Sequence, residues 1–295
     1  MILVTGGLGM IGAHTARALL DLGEDVVVTS HRRGDVPSFL DGKVVVETLD
    51  VTDRDALLAL GQRYVVSDIV HLAGSVPADD PVAYFRADMT GLFNALDAAR
   101  VWGVRRFAVA SSLGVYIGQG ESPWHEGLAL PDVELPHLIV AFKKAVEPIT
   151  THALQGTGVH PVVLRIGSTW GPLMDPESPF NFIPPYVSAV LRGETPAPLY
   201  ADDGGDSCYA PDAGRAIALL ITADRLNHTT YNVSSGRPMR NGDLADALNV
   251  PSKPGGQPGP HLDISRLTED TGFIPQYDTA EAVAHYVAWR SENSR

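Results

Sequence analysis

Short apolar, β-branched segments recur along the first half of the chain and alternate with stretches of helical periodicity. The apolar segments lie at residues 2–4, 26–28, 44–46, 69–72, 106–110 and 161–165. Apolar side chains spaced three or four positions apart predict helices over 10–22, 53–62, 81–102 and 137–155. Continuous apolar strands that alternate with helices are typical of a parallel sheet covered on both faces. We therefore predict an α/β fold built on a doubly wound parallel sheet.

The second half of the chain has a different pattern. Glycine and proline become dense, and residues 172–185 and 251–260 are predicted to be loops. We expect one domain over 1–165 and a smaller, loop-rich lobe over 166–295, from which segments around 204–235 return to the first domain. A lobe of this kind encloses a ligand above the carboxyl ends of the strands.

A glycine-rich turn connects the first apolar segment to the first predicted helix. Residues 5–12 read TGGLGMIG, with glycines spaced three positions apart. A glycine turn between a strand and a helix is typical of dinucleotide binding, because it lets the backbone approach a pyrophosphate at the positive end of the helix. We expect this turn to contact the cofactor through Gly6, Gly9, Met10, Ile11 and Gly12.

Composition narrows the class of partner. The formal net charge of −13 leaves no basic excess to neutralise the phosphates of a nucleic acid. The single cysteine, Cys208, excludes an intrachain disulfide and fits a reducing compartment. No apolar stretch reaches the length of a membrane span. We expect a cytoplasmic protein that binds a small molecule, and neither nucleic acid, membrane nor metal ion.

Several segments, in order, resemble the extended short-chain dehydrogenase/reductase family and, within it, the NAD-dependent epimerase/dehydratase branch. The matching segments span nearly the whole chain and are TGGLGMIG at 5–12, LDVTD at 49–53, VHLAG at 70–74, DMTG at 88–91, SSLGVY at 111–116, LRIGSTWGP at 164–172, YNVSSG at 231–236 and the tail from DISR at 263–266 through GFIP at 272–275. The resemblance implies a Rossmann-type domain, a nicotinamide cofactor and a hydroxyl or carbonyl substrate. It also implies a homodimer through the helices at 81–102 and 137–155.

The resemblance further implies three catalytic residues: a serine or threonine, and a tyrosine four positions before a lysine on one helix. Ser112 fits the hydroxyl position, and Lys143, followed by Glu147, fits the lysine. This alignment places Ile139 where the tyrosine should stand. The sequence therefore predicts an oxidoreductase or epimerase/dehydratase-type enzyme whose usual phenolic base is missing.

The missing tyrosine leaves several explanations open. Another side chain supplies the proton chemistry, with Tyr116, His125 and His137 as candidates, or the reaction needs no base at that place. Alternatively, the chain binds its cofactor without turnover, as a sensor or scaffold, or it is a non-redox lyase or isomerase on the same fold.

Each candidate also has a purely structural explanation. His137 is more simply a surface or helix-entry residue, and His125 a solvated loop residue. Lys143 can pair with Glu147 on the helix surface, although its position favours a role at the cofactor ribose. Ser112 can cap local backbone, although its place at a strand end favours a functional role.

The end of the second strand bears on the choice of cofactor. Residues 29–33 read TSHRR, with no carboxylate to bind the ribose hydroxyls and with basic side chains that suit a 2′-phosphate. We favour NADP, with NAD as the alternative. The resemblance implies further cofactor contacts at Ser30, His31, Arg32, Asp50, Val51, Leu72, Ala73, Gly74, Ala110, Ser111, Lys143 and Ile166.

At one position that bears on the substrate, the sequence departs from the family pattern. Nucleotide-sugar members of the family carry an arginine before the Asp of an R-D-[FY] segment, where it meets a diphosphate, and the matching stretch here reads GDSCYAPD at 205–212. Gly205 stands in the arginine's place. We therefore expect a smaller, less charged sugar-like molecule or secondary metabolite rather than a UDP- or dTDP-sugar.

Overall fold

The computed structural model describes residues 1–75 and 80–295. Its main sheet consists of β1 (Ile2–Thr5), β2 (Val26–Ser30), β3 (Val45–Thr48), β4 (Asp68–His71), β5 (Arg106–Ser112), β6 (His160–Ile166) and β10 (Thr230–Val233). All seven strands run parallel, in the order β10-β6-β5-β4-β1-β2-β3. The strand order reverses beside β1, which is where doubly wound sheets bind dinucleotides. The predicted Rossmann-type sheet is confirmed.

Four helices connect the first six strands. They are α1 (Met10–Asp21), α2 (Arg54–Arg63), α3 (Pro81–Trp102) and α4 (Leu138–Leu154). The side chain of Asp53 caps α2 by accepting from the amide of Ala56, and Asp80 caps α3 in the same way. These helices begin and end within one residue of the predicted bounds.

The sheet separates two apolar layers because alternate side chains of a strand point to opposite faces. Ile2 and Val4 pack with α1 and with α6 (Ala210–Thr222), whereas Leu3, between them, packs with α2, α3 and α4. Coverage is incomplete at the edge strand β3, where Val45 and Val46 are each 38% exposed. The pattern of β-branched residues predicted the strand but not its place at the edge.

The second half of the chain contains more regular structure than predicted. Its remaining elements are β7 (Thr169–Trp170), α5 (Ile183–Leu191), β8 (Gly204–Asp206), β9 (Cys208–Tyr209), β11 (Pro238–Arg240), α7 (Asn241–Ala247), α8 (Ser265–Thr271) and α9 (Thr279–Glu292). The loop predicted over 172–185 ends earlier, because α5 begins at Ile183 and proline is tolerated in a first helical turn. Strand β10 was not predicted as a strand, yet it lies beside β6 in the main sheet. In the described ranges no helix is both long and apolar enough to cross a membrane.

Candidate active site

The glycine turn has the geometry that pyrophosphate binding requires. Gly6 has φ +67°, and a Cβ there would lie 2.9 Å from the backbone nitrogen of Ala73. A Cβ on Gly12 would lie 2.3 Å from the carbonyl oxygen of Gly6. Gly9 precedes α1, and no side chain caps that helix. The first amides of α1 therefore face outward at the positive end of the helix dipole, and this arrangement fits a dinucleotide.

The carboxyl edge of the sheet brings the predicted site residues together. Because all strands are parallel, the residues that follow β1, β2, β3, β4, β5 and β6 lie along one edge. That edge carries the glycine turn, Ser30 to Arg32, Asp50 and Val51, Leu72 to Gly74, Ala110 to Ser112, and Ile166. The predicted cofactor residues thus converge although they come from six separate segments.

The two serines at the end of β5 point to opposite faces. The Ser111 hydroxyl donates to Glu147 Oε1 at 2.5 Å and is buried, and the cofactor contact expected at Ser111 stays a prediction. Ser112 is half-buried, and its Oγ accepts from the amide of Gly114 at 3.1 Å. This is the local cap considered above. Because the Ser112 oxygen accepts in that bond, its hydrogen remains for donation to a substrate oxygen.

Lys143 is the lysine that reaches the site. Its Nζ donates to the carbonyl oxygen of Ala110 at 2.7 Å, whereas Lys144 donates to the carbonyl of Pro131. Burial lowers the pKa of Lys143 to about 8, against a smaller opposite effect of the Asp88 carboxylate. An ammonium at the end of β5 can donate to ribose hydroxyls, which supports the ribose role over a pair with Glu147.

Asp88 lies where the family resemblance places an asparagine. Its Oδ1 accepts from the amide of Ser75 at 2.9 Å, so it fixes the segment that follows β4. Behind this segment, His71 Nδ1 lies 2.8 Å from Thr5 Oγ1, and burial lowers the pKa of His71 to about 3. His71, which lies behind this segment at the end of β4, is therefore neutral.

Ile139 occupies the first turn of α4, one turn before Lys143. Its side chain is half-buried and packs against the apolar layer that contains α2, α3 and α4. The residue before the helix, His137, caps it: Nδ1 accepts from the amide of Ile139 at 3.1 Å. The interpretation of His137 as a helix-entry residue agrees with this geometry.

Tyr116 does not suit the role of a replacement base. The side chain is 0% exposed, its hydroxyl donates to Asn232 Oδ1 at 2.9 Å, and Arg165 Nη1 donates to it at 2.8 Å. Burial raises the pKa of this phenol. A phenol enclosed in this way has no path to a substrate, so the sequence-based candidacy of Tyr116 is corrected.

A buried ion pair lies under Ser111 and Tyr116. Arg165 Nη2 lies 2.7 Å from Glu147 Oε2, and Arg165 Nε donates to Glu147 Oε1 at 3.0 Å. The bidentate pair joins α4 to β6, and through Tyr116 it reaches Asn232 on β10. Sequence reasoning identified Glu147 only as a motif residue, because nothing in the sequence pairs it with Arg165.

His125 lies in an exposed loop. Its Nδ1 accepts from the amide of Gly127 at 3.2 Å, a local turn contact. The next residue, Glu126, is buried and accepts from the amide of Asn232 at 2.7 Å. The described contacts of His125 are those of a solvated loop residue.

The end of β2 carries the basic side chains expected near the adenosine. His31 Nε2 lies 3.6 Å from Asp50 Oδ2, and Arg33 donates to the carbonyl of Leu8 in the glycine turn at 3.3 Å. Arg32 is exposed. The backbone amide and the side-chain hydroxyl of Thr52 each donate a hydrogen bond to Asp50 Oδ1. These two bonds lower the pKa of Asp50, which keeps it a carboxylate.

Asp206, on β8, connects the segments that follow β6 and β10. Its Oδ1 accepts from the amide of Ser168 at 2.8 Å, and its Oδ2 accepts from the Ser234 hydroxyl at 2.8 Å. The neighbouring Gly205 has room for a side chain, since a Cβ there would lie 3.4 Å from the carbonyl oxygen of Pro260. Both residues line a cavity of about 240 Å³ with Asn181 and Phe182.

Comparisons with known proteins agree with this geometry. The NAD dependent epimerase/dehydratase family matches residues 2–234. A dTDP-glucose 4,6-dehydratase of Actinoplanes sp. is 26% identical over 99% of this chain and 98% of that protein. The structure of a Thermus thermophilus UDP-glucose 4-epimerase with NAD superimposes with a TM-score of 0.77 at 26% identity, covering 99% of each chain. A Thermotoga maritima UDP-glucose 4-epimerase structure has the same fold, with a TM-score of 0.82 at 21% identity, covering 99% of this chain and 98% of that one.

Proposed function

The chain belongs to the NAD-dependent epimerase/dehydratase family, and on that premise we propose that it uses a nicotinamide cofactor to act on a hydroxyl or carbonyl group of a sugar-like small molecule. The main evidence is that three features lie at one edge of the sheet: the uncapped start of α1, the hydroxyl of Ser112 and the ammonium of Lys143. This arrangement supports the proposal that a dinucleotide and a substrate oxygen bind side by side at this edge.

In this proposal, Ser112 and Lys143 have different roles at this edge. Ser112 donates to the substrate oxygen, and Lys143 binds the ribose next to the nicotinamide. When bound, the nicotinamide supplies the hydride acceptor and donor that such reactions need. Ile139, at the position where the family resemblance implies the tyrosine, offers no ionisable group, and we propose that the usual base is missing there.

We propose NADP as the preferred cofactor. Arg33 lies against the glycine turn, Arg32 is exposed beside it, and β2 ends without a carboxylate. Guanidinium groups suit a 2′-phosphate, because they bind phosphate oxygens in a bidentate way. The NAD in the Thermus thermophilus structure is a property of that protein and makes NAD the competing outcome.

Two observations bear on the substrate in opposite directions. The relatives named above act on dTDP-glucose and UDP-glucose, which favours a sugar nucleotide. Gly205, in the place of the diphosphate-binding arginine, favours a substrate without that diphosphate. Three arginines are candidates to replace it: Arg192 and Arg240 are paired with carboxylates, whereas Arg237 is exposed and stays an open candidate. We propose a sugar-like substrate with weak dependence on a nucleotide moiety.

A homodimer through α3 and α4 completes the proposal. Val82, Phe93 and Val101 on α3 are 62%, 52% and 67% exposed. Apolar side chains at these exposures favour an association surface. Light scattering coupled to size-exclusion chromatography distinguishes a dimer from a monomer.

The function is tested by calorimetric titration of purified protein with NADP⁺ and NAD⁺, after any copurified cofactor has been assayed. Turnover is then followed by nicotinamide absorbance and by NMR of the product, with UDP-glucose, dTDP-glucose and free hexoses. Binding and turnover support the proposal. Binding without turnover of any panel member favours the sensor or scaffold alternative, and binding of neither cofactor contradicts the proposal and favours a non-redox lyase or isomerase.

A further inference from the structure

The carboxylate of Asp88 has a fixed position at the edge of the sheet that carries the predicted cofactor residues. Its Oδ1 accepts from the amide of Ser75 at 2.9 Å, and its Oδ2 lies 3.6 Å from the place that a Cβ on Gly74 would take. Gly74 is one of the residues expected to contact the cofactor. The side chain of Asp88 is half-buried, so its carboxylate borders this edge and is not enclosed in the core.

The ammonium of Lys143 lies next to the segment that Asp88 fixes. Lys143 Nζ donates to the carbonyl oxygen of Ala110 on β5 at 2.7 Å. Val109, just before Ala110, pairs with His71, the last residue of β4. Because adjacent strands lie about 4.8 Å apart, the segment that follows β4 runs beside Ala110. The Asp88 carboxylate is close enough to raise the pKa of Lys143, against the larger effect of burial.

The other titratable groups around Lys143 offer it no free negative charge. His71 on β4 is neutral, because burial and, to a smaller extent, Lys143 itself lower its pKa to about 3. Glu147, one turn later on α4, belongs to the buried ion pair with β6. Tyr84 on α3 is a neutral phenol, because burial and then the charge of Asp88 raise its pKa. Within the described ranges, Asp88 is the carboxylate that remains for Lys143.

We propose that Asp88 is the anionic partner of Lys143 in this site, in place of the tyrosine that the family resemblance implies at Ile139. The inference rests on the proposed function, because it assigns a partner to the lysine that binds the cofactor ribose. A tyrosine that gives up its proton beside a lysine leaves a negative charge there. Isoleucine offers no such charge, and the asparagine of the family pattern at position 88 offers none either.

An aspartate in place of that asparagine returns a negative charge to the site. This charge is present before any substrate binds, whereas a tyrosinate forms only when the phenol loses its proton. Asp88 is thus a positioning residue: it favours the charged form of Lys143, and the ammonium then donates to the ribose hydroxyls.

The first test needs neither turnover nor bound cofactor. The chain contains four lysines, so NMR of protein with ¹³C-labelled lysine gives few signals, and Lys143→Arg assigns the one from Lys143. We expect this signal to titrate near pH 8 in the wild type. In Asp88→Asn it should titrate at lower pH, because loss of an opposite charge disfavours the ammonium. Asparagine keeps an oxygen for the Ser75 amide, so the variant removes the charge and retains the hydrogen bond.

Two further variants serve as controls. Asp97→Asn removes a carboxylate from the same helix, where Asp97 is 43% exposed and pairs with Arg54, and it should leave the Lys143 titration unchanged. Asp88→Glu keeps the charge and should titrate closer to the wild type than Asp88→Asn does. Thermal unfolding checks that Asp88→Asn is folded, and Asp88→Ser takes its place if it is not. Equal Lys143 midpoints in wild type and the uncharged variant, or a fall shared by Asp97→Asn, overturn the proposal.

The second test is the pH dependence of cofactor affinity, measured by calorimetry with NADP⁺ and NAD⁺ at pH 6 and pH 8. A midpoint lower by one unit reduces the charged fraction of Lys143 at pH 8 about fivefold, and affinity should fall by the same factor. At pH 6 the lysine is charged in most molecules of both proteins, so the ratio of their affinities there is the reference. An equal ratio at the two pH values contradicts the proposal.

The failure of this proposal and that of the proposed function are distinguishable. A wild-type protein that binds neither cofactor contradicts the proposed function, and the NMR titration still decides whether Asp88 and Lys143 are partners. A wild-type protein that binds and turns over, with the same Lys143 midpoint as Asp88→Asn, keeps the proposed function and removes Asp88 from it.

Discussion

The ammonium of Lys143 and the carbonyl of Ala110 are joined by a hydrogen bond of 2.7 Å, which ties the second turn of α4 to the end of β5. Burial of the ammonium lowers its pKa to about 8. The cation that would bind the cofactor ribose therefore titrates close to neutral pH.

We expect cofactor affinity to fall as the pH rises through about 8, because Lys143 is charged below its pKa and neutral above it. At about one pH unit above the pKa, affinity should be lower by up to tenfold. Lys143→Arg stays charged over this range and should bind without the pH dependence. Calorimetric titrations across this pH range measure both proteins, and an equal pH profile for the two would count against the ribose role.

The lowered pKa of Lys143 also affects the stability of the fold, and there the dependence on pH is opposite to that of cofactor affinity. Between about 8 and the ordinary 10.5, the unfolded lysine holds a proton that the folded lysine has lost. The contribution of this group to the unfolding free energy therefore rises with pH over that window. The fall in cofactor affinity thus does not reflect unfolding.

Restoring the phenol at the first turn of α4 tests the divergent site. Ile139→Tyr lies one turn from Lys143, so a tyrosine there can meet the lysine and a substrate oxygen. We expect turnover to rise by about 10²–10⁴-fold, the usual contribution of a positioned base. The matched control is Ile139→Phe, which adds the ring without the hydroxyl. An equal change in both variants would show that packing, and not proton transfer, is responsible.

Gly205 gives a test of substrate selection. Gly205→Arg should tighten binding of UDP-glucose by about tenfold or more, because a guanidinium pairs with diphosphate oxygens. Gly205→Gln is the uncharged control of similar length. Gly204 is unsuitable for such a change, since a Cβ there would lie 2.0 Å from the Met239 carbonyl oxygen. Calorimetry with UDP-glucose measures the effect, and equal affinities in the two variants would speak against a diphosphate subsite at Gly205.

The buried ion pair of Glu147 and Arg165 joins α4, which carries Lys143, to β6. Both side chains are buried, so Glu147→Ala leaves a guanidinium without its carboxylate and should cost about 3–5 kcal/mol in the free energy of unfolding. Urea denaturation measures this cost. Glu194→Ala breaks an exposed pair with Arg192 and should leave the urea midpoint unchanged. A small effect at Glu147 would mean that other groups satisfy Arg165.

The sequence by itself determined the sheet, its first six strands and the helices between them. These elements follow from local periodicity, which records which face of each segment is apolar. It also determined the glycine turn, because three glycines at fixed spacing after a strand have few structural uses. The parallel strands bring Ser112 and most of the predicted cofactor residues to one edge, and α4 brings Lys143 to the end of β5.

Only the tertiary structure decided which polar groups meet. Tyr116 and Asn232 are 116 positions apart, yet their hydrogen bond removes the tyrosine from the candidate bases. The inward direction of Ser111 and the contact of His137 with Phe180 are settled in the same way. A periodic pattern specifies burial but not partners, because buried polar groups are satisfied by whichever group the packing brings within hydrogen-bond distance.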